Sequence, residues 1–314
     1  MAFLRGFGSY LPERVVANAD LAPRIGKDAS WILEMTGIAE RRWAGPEASV
    51  AGLGEAAARD CLSRAGVEPC EVGALVMASG TSERRFPGPA STVAHRLGLG
   101  TAPAIDLPVA SAGALFGMAL AARLTADYPN VLVVAAEKMS TAVDRDPMDP
   151  NSGMLFGDGA GACLVSAAEG RWRVLDWVLH SDGAASEAIR LPLDGGFAMD
   201  GMAVIMHASR KIPAAISEAL KRVSLEPGQV DQFLLHQANL NLLTRIAKSL
   251  GVPVERIFSN IARYGNTSSA SMLIAAAEAG PAPGTLCFAA FGAGLHWGAL
   301  VASSAAVHRP ADGG

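Results

Sequence analysis

Two stretches of this chain, 158 residues apart, follow the same plan. Arg64-Ala65-Gly66-Val67-Glu68-Pro69-Cys70-Glu71-Val72-Gly73-Ala74-Leu75-Val76-Met77 matches Arg222-Val223-Ser224-Leu225-Glu226-Pro227-Gly228-Gln229-Val230-Asp231-Gln232-Phe233-Leu234-Leu235. Each copy reads as a helix end, a Glu-Pro turn and an apolar strand, as parallel sheets buried on both faces require. Residues 94–98 repeat at 247–251 with an offset of 153, and residues 131–136 at 285–290 with an offset of 154. Three matches in the same order imply a duplicated unit rather than shared helix–strand grammar. Strands alternate with helices, so each half is an α/β layer structure. We place the halves at residues 1–168 and 169–314.

With 314 residues, half of them hydrophobic, the chain has ample material for a large core. A formal charge of -4 offers no electrostatic footprint for nucleic acid. The first residues reach Gly6 and Pro12 without an apolar h-region, so no signal peptide is expected. The apolar run at 110–122 is closed by Arg123, too short to span a membrane. Cys61, Cys70, Cys163 and Cys287 are scattered without metal-ligand spacing, as in a cytoplasmic protein with reduced thiols and no metal.

Ser111 stands at the junction between an apolar segment (Ala104-Ile105-Asp106-Leu107) and a helix carrying Phe116, Met118, Leu120 and Leu124. A side chain there lies over the positive end of the helix, among N–H groups with no intrahelical partner. A thiol in that place would be acidified, whereas an alcohol stays protonated and needs a general base. The simple alternative is a serine N-cap. The repeat adds two candidates. An offset of 154 carries Ser111 to Gly265, beside Asn266, so Ser111 and Asn266 are expected to open corresponding helices. His236 directly follows the second apolar strand, at its C-terminal end, where ligand sites of α/β sheets form. Taken singly, His236 reads as a structural histidine and Tyr264-Gly265-Asn266-Thr267-Ser268-Ser269-Ala270-Ser271 as a helix cap. Gly157-Asp158-Gly159-Ala160-Gly161 and Gly292-Ala293-Gly294 lack the strand, fingerprint and acidic residue of a dinucleotide loop.

Together, Ala110-Ser111-Ala112-Gly113, His236-Gln237-Ala238-Asn239, Gly265-Asn266-Thr267-Ser268 and Phe291-Gly292-Ala293-Gly294 resemble the β-ketoacyl-acyl carrier protein synthase III family of the thiolase fold. Trp31-Ile32, Thr36-Gly37-Ile38, Phe86-Pro87 and Phe156-Gly157-Asp158-Gly159-Ala160-Gly161-Ala162 follow the same pattern in order. The resemblance implies a five-layered αβαβα fold from two βαβαβαββ halves, assembled as a homodimer. It implies a catalytic Ser111, His236 and Asn266, with Ser111 in the place of the family's cysteine. His236 and Asn266 would stabilise the enolate formed as a malonyl thioester loses carbon dioxide, and the N–H groups of Ser111 and Ala293 would form an oxyanion hole. His236 would also be the base for Ser111.

The implied substrates are thioesters of coenzyme A or phosphopantetheine, with acyl carrier protein as partner and no tightly bound cofactor. Trp31, Phe86, Leu155, Phe156, Met199, Met202, Asn239 and Phe291 are the expected substrate contacts, Phe86 reaching across a twofold interface. Met35, Asn241 and Pro150-Asn151 stand where the family usually has arginines for coenzyme A phosphates or the carrier. That erosion favours delivery on a carrier protein, with Arg245 and Lys248 as docking cations; otherwise these two are a solvated helix face. The expected function is self-acylation on Ser111 followed by decarboxylative Claisen condensation, a fatty acid or polyketide starter step. The alternatives are a non-condensing acyltransferase acting on an alcohol or amine, and a degenerate partner subunit, which would have little use for His236 and Asn266.

Overall fold

The apolar runs become strands of one nine-stranded mixed sheet in the computed structural model, which describes residues 1–192 and 195–304. In chain order the strands are β1 (Phe3–Tyr10), β2 (Ala74–Ala78), β3 (Ala104–Leu107), β4 (Asn130–Lys138), β5 (Asp158–Ser166), β6 (Trp172–Ser181), β7 (Gln232–Leu235), β8 (Thr285–Gly292) and β9 (His296–Ser304). Their spatial order is β7-β8-β9-β6-β1-β5-β4-β2-β3. Within the sheet, the strands of residues 1–168 meet those of 169–304 at a short seam, where Phe3 pairs with Arg173 and Leu4 with Trp172.

The duplication is visible in the ladders. Leu75 of β2 pairs in parallel with Ala104 of β3. Their counterparts at offsets of 158 and 153, Phe233 and Ile257, pair in parallel as well. The third match is one residue out. Leu75 lies opposite Leu132, whereas Phe233 lies opposite Cys287 rather than Leu286. A strand buried on both faces carries no alternation to pin its register, so only the pairing decides it.

Helices fill three layers around the strands. Helices α1 (Val50–Ala65) and α2 (Pro89–Leu97) cover the outer face of the first half. Helices α4 (Gly201–Arg222) and α5 (Leu240–Leu250) cover the outer side of the second. Between them lie α3 (Gly113–Leu124), packed on β2, β4, β8 and β9, and α6 (Ser271–Ala279), packed on β1, β5 and β7. A helix enclosed between the two arms of the sheet keeps little solvent side, which is why both central helices are apolar almost all round. The five-layered αβαβα expectation is met. Among the described residues, no helix is long and apolar enough to cross a membrane.

Candidate active site

Strands β2, β3 and β4 run parallel, so their C-terminal ends deliver Gly80 and Thr81, Ser111, and Glu137 to one edge. Strands β7 and β8 are also parallel and end at His236 and Ala293. The segment entering α6 adds Asn266. Ser111, His236, Asn266 and Ala293 line one cavity of about 360 Å³. The repeat is what makes distant strand ends converge on one centre.

Ser111 does not cap α3: the N-cap position belongs to Ala112. Its backbone is left-handed, with φ of 64°, a conformation costly for a residue with a Cβ and held only where surroundings impose it. Gly292 shows how tightly they do, since a Cβ there would lie 2.0 Å from the Ala110 carbonyl oxygen. The turned Ser111 N–H donates to Ser268 Oγ at 3.1 Å and Ser269 Oγ at 3.0 Å. It is therefore already engaged, unlike the open oxyanion donor expected from the resemblance. The Ser111 Oγ lies 3.4 Å from Ser268 Oγ.

Ser268 has the same left-handed backbone, with φ of 48°, and likewise precedes a central helix. It is 157 residues beyond Ser111, so Ser268, not Gly265 beside Asn266, is the counterpart of Ser111. The repeat offset drifts with each inserted loop residue, which a single offset of 154 does not track. Two strained serines, one from each half, face each other across the pseudo-twofold.

Asn266 is locked into its turn. Its N–H donates to the Leu155 carbonyl at 2.9 Å, and its own carbonyl accepts the Gly157 N–H at 3.1 Å. Its Oδ1 accepts the Ser268 N–H at 2.9 Å, which assigns the remaining amide position to Nδ2, a pure donor. His236 is buried, with Nδ1 2.6 Å from Ser271 Oγ, and that oxygen also accepts the Gln237 N–H at 3.1 Å. Burial lowers the imidazole pKa to about 4, against the opposing pull of the Ser268 carbonyl, so His236 is neutral near pH 7. A neutral imidazole and an amide donor suit a developing enolate oxygen.

Leu155, Phe156, Met199, Asn239 and Phe291 also line the cavity. Trp31, Phe86 and Met202 do not. Phe86 is 84% exposed and Met202 is 77% exposed, while Trp31 lines a separate shallow depression with Lys27 5.1 Å above its ring. Arg245 and Lys248 are exposed on α5. Asn239 does structural work too: its Oδ1 caps α5 at the Asn241 N–H, and its Nδ2 donates to the Met35 carbonyl. Asn241 donates to the Glu34 and Met35 carbonyls. Two asparagines thus tie the helix end at Met35 to α5, in the region where the resemblance leads one to look for arginines.

Sequence reasoning missed the apolar wall formed by Ile189, Phe197, Val204, Ile212 and Leu242, and missed His296, whose Nδ1 lies 2.7 Å from Ser181 Oγ. It also missed Glu137. That carboxyl is fully buried beneath Ser111 and accepts from Gly80, Thr81, Ser268 and Ser269. The available signal was a lone acid directly after the apolar run 131–136.

Comparisons with known proteins bear on the family and the fold. Residues 105–183 match the family described as 3-oxoacyl-[acyl-carrier-protein (ACP)] synthase III, and residues 209–303 match its C-terminal family. The β-ketoacyl-[acyl-carrier-protein] synthase III of Staphylococcus saprophyticus is 34% identical over 306 residues, covering 95% of this chain and 97% of that protein. The crystal structure of 3-oxoacyl-[acyl-carrier-protein] synthase III from Aquifex aeolicus superposes with a TM-score of 0.92 at 32% identity, covering 96% of this chain and 100% of that one. The priming β-ketosynthase of the R1128 polyketide biosynthetic pathway gives 0.90 at 31% identity, covering 97% and 96%.

Proposed function

This chain belongs to the 3-oxoacyl-[acyl-carrier-protein] synthase III family of thiolase-fold condensing enzymes, and on that premise we propose that it primes chain growth through an acyl ester on Ser111. An acyl thioester, on phosphopantetheine of a carrier protein or on coenzyme A, enters the apolar cavity. Ser111 Oγ attacks the thioester carbon, the carbonyl oxygen takes up the negative charge towards the Ala293 N–H, and the thiol leaves. A malonyl thioester then occupies the same mouth. As its carboxylate departs as carbon dioxide, His236 and Asn266 Nδ2 donate to the thioester oxygen, holding the enolate while its carbon attacks the Ser111 ester. The product is a 3-oxoacyl thioester and free Ser111.

The observation that carries this reading is Asn266. Its Oδ1 is committed to the Ser268 N–H, so the side chain offers donors alone beside Ser111 and His236. Simple acyl transfer requires a nucleophile, a base and an oxyanion hole but no such additional donor. The 360 Å³ cavity, walled by Ile189, Phe197 and Leu242, fits an apolar acyl chain. One feature favours a second reading, transfer to an alcohol or amine: His296 adds another neutral imidazole to the cavity, its pKa lowered by burial.

We also propose a homodimer. Strand β3 is an edge of the sheet, with Ile105 exposed on it, and the segment after the exposed Phe86 is tied to it where the Ala90 N–H donates to Asp106 Oδ1. A second copy pairing along β3 would remove that edge and bring Phe86 towards the neighbouring site. Arg245 and Lys248 are the cations offered to an acidic carrier helix.

Intact-mass spectrometry with acetyl-, butyryl- and octanoyl-coenzyme A and the matching acyl carriers tests the first step. The expected result is one acyl mass on the wild type and none on Ser111→Ala. Release of carbon dioxide from a malonyl carrier by the acylated protein tests the second. Acylation that survives in Ser111→Ala would overturn the reading.

A further inference from the structure

We propose that Ser111 is deprotonated through Ser268 by the buried carboxylate of Glu137, and not by His236. The proposal rests on the reading of Ser111 as the acyl acceptor and supplies the base that an alcohol needs. The hydrogen bond of Ser111 Oγ is with Ser268 Oγ at 3.4 Å, and Ser268 Oγ donates onward to Glu137 Oε1 at 3.0 Å. His236 Nδ1 is instead committed to Ser271 at 2.6 Å.

The surroundings of Glu137 fit a carboxylate that gains and loses a proton. Every hydrogen-bonding neighbour of its two oxygens is able to donate. Thr81 Oγ1 lies at 2.6 Å, Ser269 Oγ at 2.7 Å, and the Gly80 N–H reaches both oxygens at 3.1 and 3.0 Å. That is the shell of an ionised carboxyl. Ser269 also provides for the protonated form. Its hydroxyl sits 2.9 Å from the Val109 carbonyl, so it turns its proton to Val109 and accepts one from the carboxyl. Burial raises the Glu137 pKa, with Thr81, Ser269, Gly80 and Ser268 pulling it back, which makes the group a stronger base than an exposed glutamate.

The step balances. As Ser111 Oγ bonds to the thioester carbon, its proton moves to Ser268 Oγ and the Ser268 proton moves to Glu137 Oε1. The carbonyl π pair becomes the oxyanion. On collapse the C–S bond breaks, the electron pair leaves on sulfur, and the proton held by Glu137 returns through Ser268 to the thiolate. The products are acylated Ser111 and a free thiol, with no net proton gained or lost. The pseudo-twofold gives the arrangement its origin: Ser268 is the second half's counterpart of Ser111, turned into a proton carrier.

The test separates base chemistry from damage to the fold by using the nucleophile as the variable. Pre-steady-state acylation by octanoyl-coenzyme A and octanoyl-pantetheine is followed by mass in the full-length protein, for Ser268→Ala and Glu137→Gln, each with Ser111 and with Ser111→Cys. A thiolate forms without a base, so the relay matters only for serine. The expected loss is roughly a hundredfold or more with Ser111, the scale of lost general-base catalysis, and less than about fivefold with Ser111→Cys. Should Glu137→Gln fail to fold, Ser268→Ala decides alone. Equal losses in the two backgrounds would overturn the relay and leave a structural role. Loss of acylation in His236→Ala with Ser268→Ala still fast would overturn it in favour of His236. Absence of any acyl mass on the wild-type protein would instead refute the reading of Ser111 itself.

Discussion

Replacing Asn266 with alanine removes two things, and the structure allows each to be sized. The first is the Nδ2 donor beside Ser111 and His236. One donor aimed at developing charge contributes about 3 to 4 kcal/mol to a transition state, or a factor of roughly a hundred to a thousand in rate. The second is Oδ1, which accepts the Ser268 N–H at 2.9 Å in a buried turn. Leaving a buried N–H without a partner costs about 1 to 3 kcal/mol. At about 2 cal/mol/K of unfolding entropy per residue, that corresponds to a fall of roughly 2 to 5 °C in Tm. Asn266→Ala should therefore melt slightly earlier, keep Ser111 acylation within about tenfold, and lose carbon dioxide release by about a hundredfold or more. The assay is labelled carbon dioxide release from a malonyl carrier by protein already acylated on Ser111, with acyl occupancy read by mass in the same sample. If acylation and decarboxylation fall by the same factor, Asn266 acts through the shape of the turn and the assignment of its amide to the malonyl carbonyl is wrong.

Acid should expose His236. The unfolded imidazole titrates near 6.5 and the buried one near 4, so the unfolded chain takes up the extra proton between those values. The stability tied to this group is present above about pH 6.5 and is lost as pH falls towards 4, by about 3 kcal/mol; urea midpoints at pH 7 and 4.5 should therefore separate further in the wild type than in His236→Asn, and equal separations would refute the shift. Gly292→Ala should reduce Ser111 acylation by about a hundredfold or more, because its Cβ would stand 2.0 Å from the Ala110 carbonyl and push the left-handed turn open; near-normal acylation rates by rapid-quench mass spectrometry would show that the turn tolerates displacement. Ile105→Lys, which puts a charge on the exposed edge of β3, should yield monomers by light scattering at micromolar concentration, and a wild-type protein already monomeric there would end the proposal of pairing along β3.

Much of the architecture was legible because its physical cause is local. Strands buried on both faces must be continuous apolar runs, and helices enclosed between the two arms of the sheet must lack a polar side, so residues 74–78, 131–136 and 285–290 announced themselves and their duplication. Ser111, His236 and Asn266 were legible as candidates because they lie just beyond those strands or just before the central helices, in motifs that the family resemblance ties together. Register was not, since an unbroken apolar run fits its neighbour equally well one residue along; hence Cys287, not Leu286, faces Phe233. Nor was the pairing of Ser111 with Ser268, because loop lengths shift the repeat offset to 157 at that point. The contacts around Glu137 were the least legible. They join residues 80, 111, 137 and 268 through short distances set by where parallel strands end, and strand ends are brought together by the packing of whole layers rather than by anything written next to the residues concerned. Sequence determined which groups are available and the secondary structure that carries them; tertiary structure decided which of them exchange a hydrogen bond, because that depends on ångström-scale geometry that only the packed layers impose.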